Sequence, residues 1–186
     1  MKKRFVIGLI IALTLAVGWH IAQSDDEESG RIGALWKPTP DIGAVDNTLY
    51  VKECGSCHMA YPPGLLPARS WKKLMQGLGN HFGDVAELDS NTLAALTRYL
   101  VDNSADGSPY RRSRRIMRSI DAGATPLRIT EVPYIRYVHH EIPNRLVSDN
   151  AKVGSLNNCA ACHQRVAQGS FSEREIRIPG YGRWDD

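Results

Sequence analysis

Phenylalanine is scarce, with three residues in the whole chain, and no cysteine lies outside two short segments that use all four. A net field of one sign is also missing. Lys2, Lys3 and Arg4 precede an apolar run; without them 20 basic residues stand against 20 acidic ones. That balance excludes the basic surface expected of a nucleic-acid binder. An internal repeat is missing too: Tyr61-Pro62-Pro63-Gly64 lies beyond one cysteine segment, Gln164-Arg165-Val166-Ala167 beyond the other. After His163, 23 residues remain, and they contain neither histidine nor methionine.

The two cysteine segments are Cys54-Gly55-Ser56-Cys57-His58 and Cys159-Ala160-Ala161-Cys162-His163. Each has the CxxCH spacing of a c-type haem attachment site. The two thiols add to the vinyl groups of one porphyrin, and the adjacent imidazole lies under the iron as proximal ligand. Other uses of the cysteines fit less well. A zinc ribbon pairs CxxC units across a short gap without a histidine after each, and here the gap is about a hundred residues. A thioredoxin-like dithiol needs a strand and a parallel sheet around it. A disulfide between cysteines three apart closes too small a loop to stabilise much. The expected cofactors are therefore two haem c groups, haem 1 at 54–58 and haem 2 at 159–163. Buried porphyrins would supply apolar surface that the few phenylalanines do not.

The N-terminus reads as an export segment. Basic Lys2-Lys3-Arg4 leads into Phe5–Ala22, and Asp25-Asp26-Glu27-Glu28 follows. Small residues at Ala22 and Ser24 favour cleavage before Asp25. Retained, a run of about 18 residues could just span a bilayer, with the rest of the chain outside the cytoplasm. Either outcome places the folded part in the periplasm, as a soluble protein or one anchored to the inner membrane. The chain divides into 1–24 (export signal or anchor), 25–43 (a flexible arm in which Trp36 docks on the body) and 44–186 (the haem domain).

Within 44–186 the pattern is mainly α with substantial irregular coil. A helix leads from Asp46 into the first motif, where cysteines at i and i+3 share a face. Trp71, Leu74, Met75 and Leu78 mark a second helix after Pro67. Asp89 or Ser90 caps a third, carrying Leu93, Leu96, Leu100 and Val101 and stopped by Asp102-Asn103-Ser104. Arg111, Arg112, Arg114, Arg115 and Arg118 sit on a short helix with Ile116 and Met117. They read as a solvated face, as contacts to haem propionates or as a docking patch. Thr125 to Pro143 reads as extended or irregular, with one helical turn at the histidines. Leu156–Ala167 should be helical, and Ile176–Trp184 coil.

Six histidines are present: His20, His58, His81, His139, His140 and His163. With His20 in the export segment and His58 and His163 proximal, three remain for two distal positions. The second haem must look upstream, to His139, His140, Met117 or His81. For the first, His81 follows on a glycine-flanked turn and Met75 is its rival, while Met59 is too close to His58. Met75 also fits a core role. Ligand type matters because axial ligation moves haem potentials over about 0.8 V and methionine raises them. Two closed coordination spheres imply electron transfer; one open haem would imply an enzyme, a peroxidase or an oxygen-handling protein.

At these residues the sequence resembles the small exported dihaem cytochromes c, over residues 48–182. The resemblance rests on Glu53-Cys54-Gly55-Ser56-Cys57-His58-Met59-Ala60-Tyr61-Pro62-Pro63-Gly64-Leu65-Leu66-Pro67, Trp71, and Gly79-Asn80-His81-Phe82-Gly83. It continues through Arg128-Ile129-Thr130, His139 with Glu141-Ile142-Pro143, Asn158 to His163, and Ser172-Glu173-Arg174 to Ile178-Pro179. It implies a mostly helical protein with two low-potential bis-histidine haems. It also implies a shuttle between a membrane cytochrome b and a small oxygen-binding c-type cytochrome, without catalysis of its own. His81 carries over as a distal ligand, and His139 matches the position before Glu-Ile-Pro better than His140. Which distal histidine serves which haem stays open.

Overall fold

In the computed structural model the described residues are 40–184. The export segment, His20, Trp36 and most of the proposed arm lie outside them. The last residues of that arm belong to the packed body. Ile42 is fully buried, and the backbone N–H groups of Asp41 and Ile42 both donate to the Gly169 carbonyl.

Six α-helices and one two-stranded sheet appear among the described residues. Helix α1, Thr48–Cys54, starts where the Asn47 side chain accepts from Tyr50 N–H at 2.9 Å, which satisfies one of the orphan donors of the first turn. It ends at Gly55, inside the first motif. The Pro62-Pro63-Gly64 run then makes a buried one-turn 3₁₀ segment, Pro63–Leu65. Gly64 is required there: a Cβ would stand 2.6 Å from Ser113 Oγ and 2.9 Å from Ile42 Cγ1.

Helix α2, Ala68–Gln76, follows Pro67 and buries Ser70, Trp71 and Met75. Trp71 Nε1 donates to the Pro63 carbonyl at 2.7 Å, so the indole buries its apolar body with its one donor satisfied. Helix α3, Ser90–Asp102, is capped by Asp89, which accepts from Asn91 N–H and Thr92 N–H. Its Leu96 and Leu100 pack into the core against α2. Helix α4, Arg111–Ser119, turns Ser113 and Ile116 inward and four of its five arginines out to solvent or the cavity rim.

Three expectations change. Within 125–143 the chain forms a 3₁₀ turn, Ile129–Glu131, and a short helix α5, Pro133–Val138, ending before the histidines. Pro133 starts α5 rather than breaking it, because its missing N–H is one the first turn leaves unpaired anyway. The helix expected over 156–167 shrinks to α6, Cys159–Cys162. His163 leaves the helix to form a backbone bridge with Ile176, which ends the helical ladder. The expected C-terminal coil is partly a hairpin: β1, Arg177–Ile178, pairs antiparallel with β2, Gly182–Arg183, in the register Ile178 opposite Gly182. Gly180 and Gly182 both take positive φ, the conformation the tight turn demands.

The core is unequal along the chain. Fourteen buried residues from Ile42 to Phe171 form the main cluster; only Leu146, Val153 and Ile178 form a second. No described helix is long and apolar enough to cross a membrane.

Candidate haem sites

A cavity of about 1700 Å³ opens against both cysteine motifs. It is larger than the ~300–1,000 Å³ of a cleft that takes one small ligand. Its wall is built largely of aliphatic and aromatic side chains, among them Leu65, Leu78, Ile135 and Phe171.

The histidines meet in pairs. His58 faces His81 with ring centroids 6.2 Å apart and planes at 24°. His163 faces His139 at 6.1 Å with planes at 75°. Metal–imidazole bonds of about 2.0–2.1 Å, with roughly 1.1 Å from ring nitrogen to ring centre, put two trans imidazoles about 6.2–6.4 Å apart. The first gap falls at the lower end of that range, and the second, at 6.1 Å, lies just below it.

Local chain geometry sets each ring. His58 Nδ1 lies 2.7 Å from the Met59 carbonyl and His139 Nδ1 2.7 Å from the Ile135 carbonyl. An imidazole N–H held by a carbonyl leaves the other nitrogen unprotonated and free to bind a metal. His81 sits at the mouth of a tight turn, where His81 and Asp84 bridge through their backbones and Phe82 takes a positive φ of 59°. Burial, then the neighbouring His58, holds His81 below the usual histidine range. Burial does the same to His139. His163 is pushed down to about 4, by burial and then by His139 and Arg112. Each shift favours the neutral imidazole, the form that ligates. Nδ1 of His163 is buried without a hydrogen-bond partner, a mark of a pocket shaped for a further group.

The thiols fit the same use. Burial pushes Cys54 and Cys159 up to about 11, with Glu53 contributing at Cys54. Burial raises Cys162 as well. Burial that favours the thiol form is not the setting of a reactive thiolate pair.

Of the rival residues, Met75 and His140 also line the cavity, while the rings that face the two motif histidines are those of His81 and His139. His140 is exposed, stacked on Tyr137 at 5.5 Å with its Nε2 3.6 Å from Glu141. Met75 is buried among the main core residues, and Met117 packs against them. Met59 also packs on that core.

Several residues that sequence reasoning did not single out complete the sites. Phe82 touches His81 at 4.9 Å and Phe171 touches His163 at 5.0 Å. Tyr61 lies 4.9 Å from the His58 ring, and its hydroxyl donates to the Asn157 carbonyl at 2.7 Å. It ties the first motif to the segment just before the second. Arg112 was one of five arginines in a run, and nothing in the sequence marks it as the one turned inward. Only the i, i+4 spacing of Arg112 and Ile116 hints at it.

Sequence and structure comparisons agree on the class. Residues 50–171 match the model of the dihaem cytochrome c family. The chain is similar to the crystal structure of a dihaem cytochrome c from Shewanella baltica OS155. That match has 43% identity and a TM-score of 0.62, over 75% of this chain and 98% of the other. It is likewise similar to a dihaem cytochrome c from Rhodobacter sphaeroides, at 43% identity and a TM-score of 0.62, over 69% and 98%. No curated protein sequence matches it. The chain belongs to the dihaem cytochrome c family. It is a mainly helical electron-transfer protein with two covalently bound haem c groups, and not an enzyme.

Proposed function

We propose that this protein is an exported, low-potential electron shuttle in which His58 and His81 ligate one haem iron and His163 and His139 the other. The observation that carries the reading is the pair of facing imidazoles at 6.2 and 6.1 Å. Bound haem supplies a one-electron iron couple. The protein's part is to hold four imidazoles at fixed spacing, so that neither iron would offer a position to substrate. Bis-histidine ligation, without methionine, favours low potentials.

Export is supported by Lys2-Lys3-Arg4 and the apolar Phe5–Ala22, whether that segment is cleaved or anchors the protein to the inner membrane. The partners we propose, a membrane cytochrome b or other quinol-linked donor and a small c-type cytochrome as acceptor, rest on the family resemblance.

Electron paramagnetic resonance of the wild type, H81A and H139A tests the ligand set. Two low-spin ferric signals are expected in the wild type. Each variant should convert one haem to a high-spin form that binds carbon monoxide when reduced. A methionine charge-transfer band, stoichiometric carbon monoxide binding by the wild type, or unchanged spectra in both variants would overturn the assignment.

A further inference from the structure

An arginine stands over a phenylalanine at each site, but in different surroundings. At the first, Arg128 lies over Phe82 with its guanidinium carbon 4.0 Å from the ring centre, and Phe82 touches His81. Arg128 is 42% exposed and pairs loosely with the exposed Glu131. At the second, Arg112 lies over Phe171 at 5.3 Å, and Phe171 touches His163. Arg112 is only 15% exposed. Its Nη2 donates to the Phe171 carbonyl at 3.0 Å, its Nη1 to Tyr134 Oη at 3.3 Å, and its Nε is buried with no partner. Asp41 lies 3.8 Å away, with the same carboxylate oxygen already accepting from Phe171 N–H at 2.9 Å. At 3.8 Å the ion pair is loose, and no hydrogen bond joins the two charged groups.

We propose that Arg112, held by Phe171, Tyr134 and Asp41 beside His139 and His163, sets the second haem at the higher reduction potential. The inference rests on the ligand pairs proposed above. Reduction adds an electron without a proton, so a fixed positive charge nearby stabilises the ferrous state. A buried charge acts through a low dielectric and is poorly screened by salt; an exposed one is screened.

The local fields support the difference. Arg112 is held against Phe171 and Tyr134 at 15% exposure, where its field is poorly screened. At the first site Arg128 and Asp84 are both exposed, and their fields are screened. The buried basic neighbour thus favours the ferrous state at the second site. With both haems bound, Arg112 would make the second the better electron acceptor, so that an electron entering at the first from a one-electron donor would pass to the second.

Arg112 is a positioning residue in this scheme, and a potentiometric titration of the holoprotein followed by electron paramagnetic resonance tests it. The two haems give separable ferric signals because their ligand planes differ. Near-parallel imidazoles at 24° split the iron d-orbital pair they interact with, whereas planes at 75° treat both orbitals almost alike and give the more anisotropic signal. In the wild type the more anisotropic signal should disappear first on reduction. R112Q should lower that haem's midpoint by about 59 mV, a tenfold change in its reduced-to-oxidised ratio, and leave the other unmoved. R112K should restore most of the shift, and D41N should raise the same midpoint. The proposal is overturned if the less anisotropic haem reduces first, if R112Q moves both midpoints equally or neither, or if R112K behaves like R112Q. Should R112Q fail to load haem, a D41N midpoint that does not rise overturns it. High-spin wild-type signals would instead overturn the ligand reading, independently of any midpoint.

Discussion

The two haem sites share a plan and differ in their setting. Each takes a histidine from a Cys-x-x-Cys-His segment, faces it with an imidazole from a distant turn, and flanks the pair with a phenylalanine carrying an arginine. The first is open: His58 is exposed and Phe82 is 45% exposed. The second is enclosed: His163 is half-buried and Phe171 is 7% exposed. Enclosure does not mean a larger protein core, however. Phe171 reaches the main cluster, but the chain around the second motif has only Leu146, Val153 and Ile178 buried together. The first motif sits on the main core, whereas Leu146, Val153 and Ile178 beside the second form only a small cluster, which a bound haem would extend.

Removing one haem at a time gives the strongest test of that contrast. C54A/C57A should lose one covalent haem by mass and leave α2, α3 and α4 protected in hydrogen exchange. C159A/C162A should also lose one, but with rapid exchange across residues 142–184. Equal losses of protection would show that the two regions depend on haem alike. A second test concerns the seam that supports Arg112. Gly169 has φ of +76°, and a Cβ there would stand 2.2 Å from the Ile42 carbonyl oxygen. Left-handed backbone alone strains a non-glycine residue by ~1–3 kcal/mol. G169A should therefore destabilise the protein by at least that much in chemical denaturation, and the second haem's spectrum should change more than the first's.

Smaller effects sharpen the comparison. Y61F deletes the hydroxyl that bridges the first motif to Asn157. It should cost about 0.5–1.5 kcal/mol, the net value of one hydrogen bond, and leave both spectra low-spin. R128Q should move the first haem's midpoint less than R112Q moves the second's. Its shift should fade in high salt, because Arg128 is exposed and a surface charge is screened over about 10 Å at 0.1 M. A salt-independent shift as large as that of R112Q would erase the distinction between the sites.

Much of this was legible in the residues themselves. Attachment to haem is local chemistry: two cysteines three apart and a following histidine carry it wherever the chain goes. The helices with clear apolar stripes, α2 and the Asp89-capped α3, were equally plain, because Trp71, Met75, Leu96 and Leu100 recur at helical spacing. Two stretches were misread for different reasons. The helix at the second motif stops at Cys162 because His163 pairs with Ile176, thirteen positions on, a contact that overrules the local pattern. The tail hairpin is local, turning around Gly180 and Gly182, but strands of two residues are too short to show an alternating pattern.

The sequence by itself determined how many haems the chain carries, where each is attached, and that the second motif must look upstream for another histidine or methionine. Tertiary structure decided which side chains meet. It brings His81 to His58 and His139 to His163, leaves His140 exposed, and makes Arg112 the one arginine of its run that is not exposed. The physical reason is range. Attachment depends on neighbours in the chain; facing imidazoles and a buried guanidinium depend on residues 20 or more positions away brought together by packing.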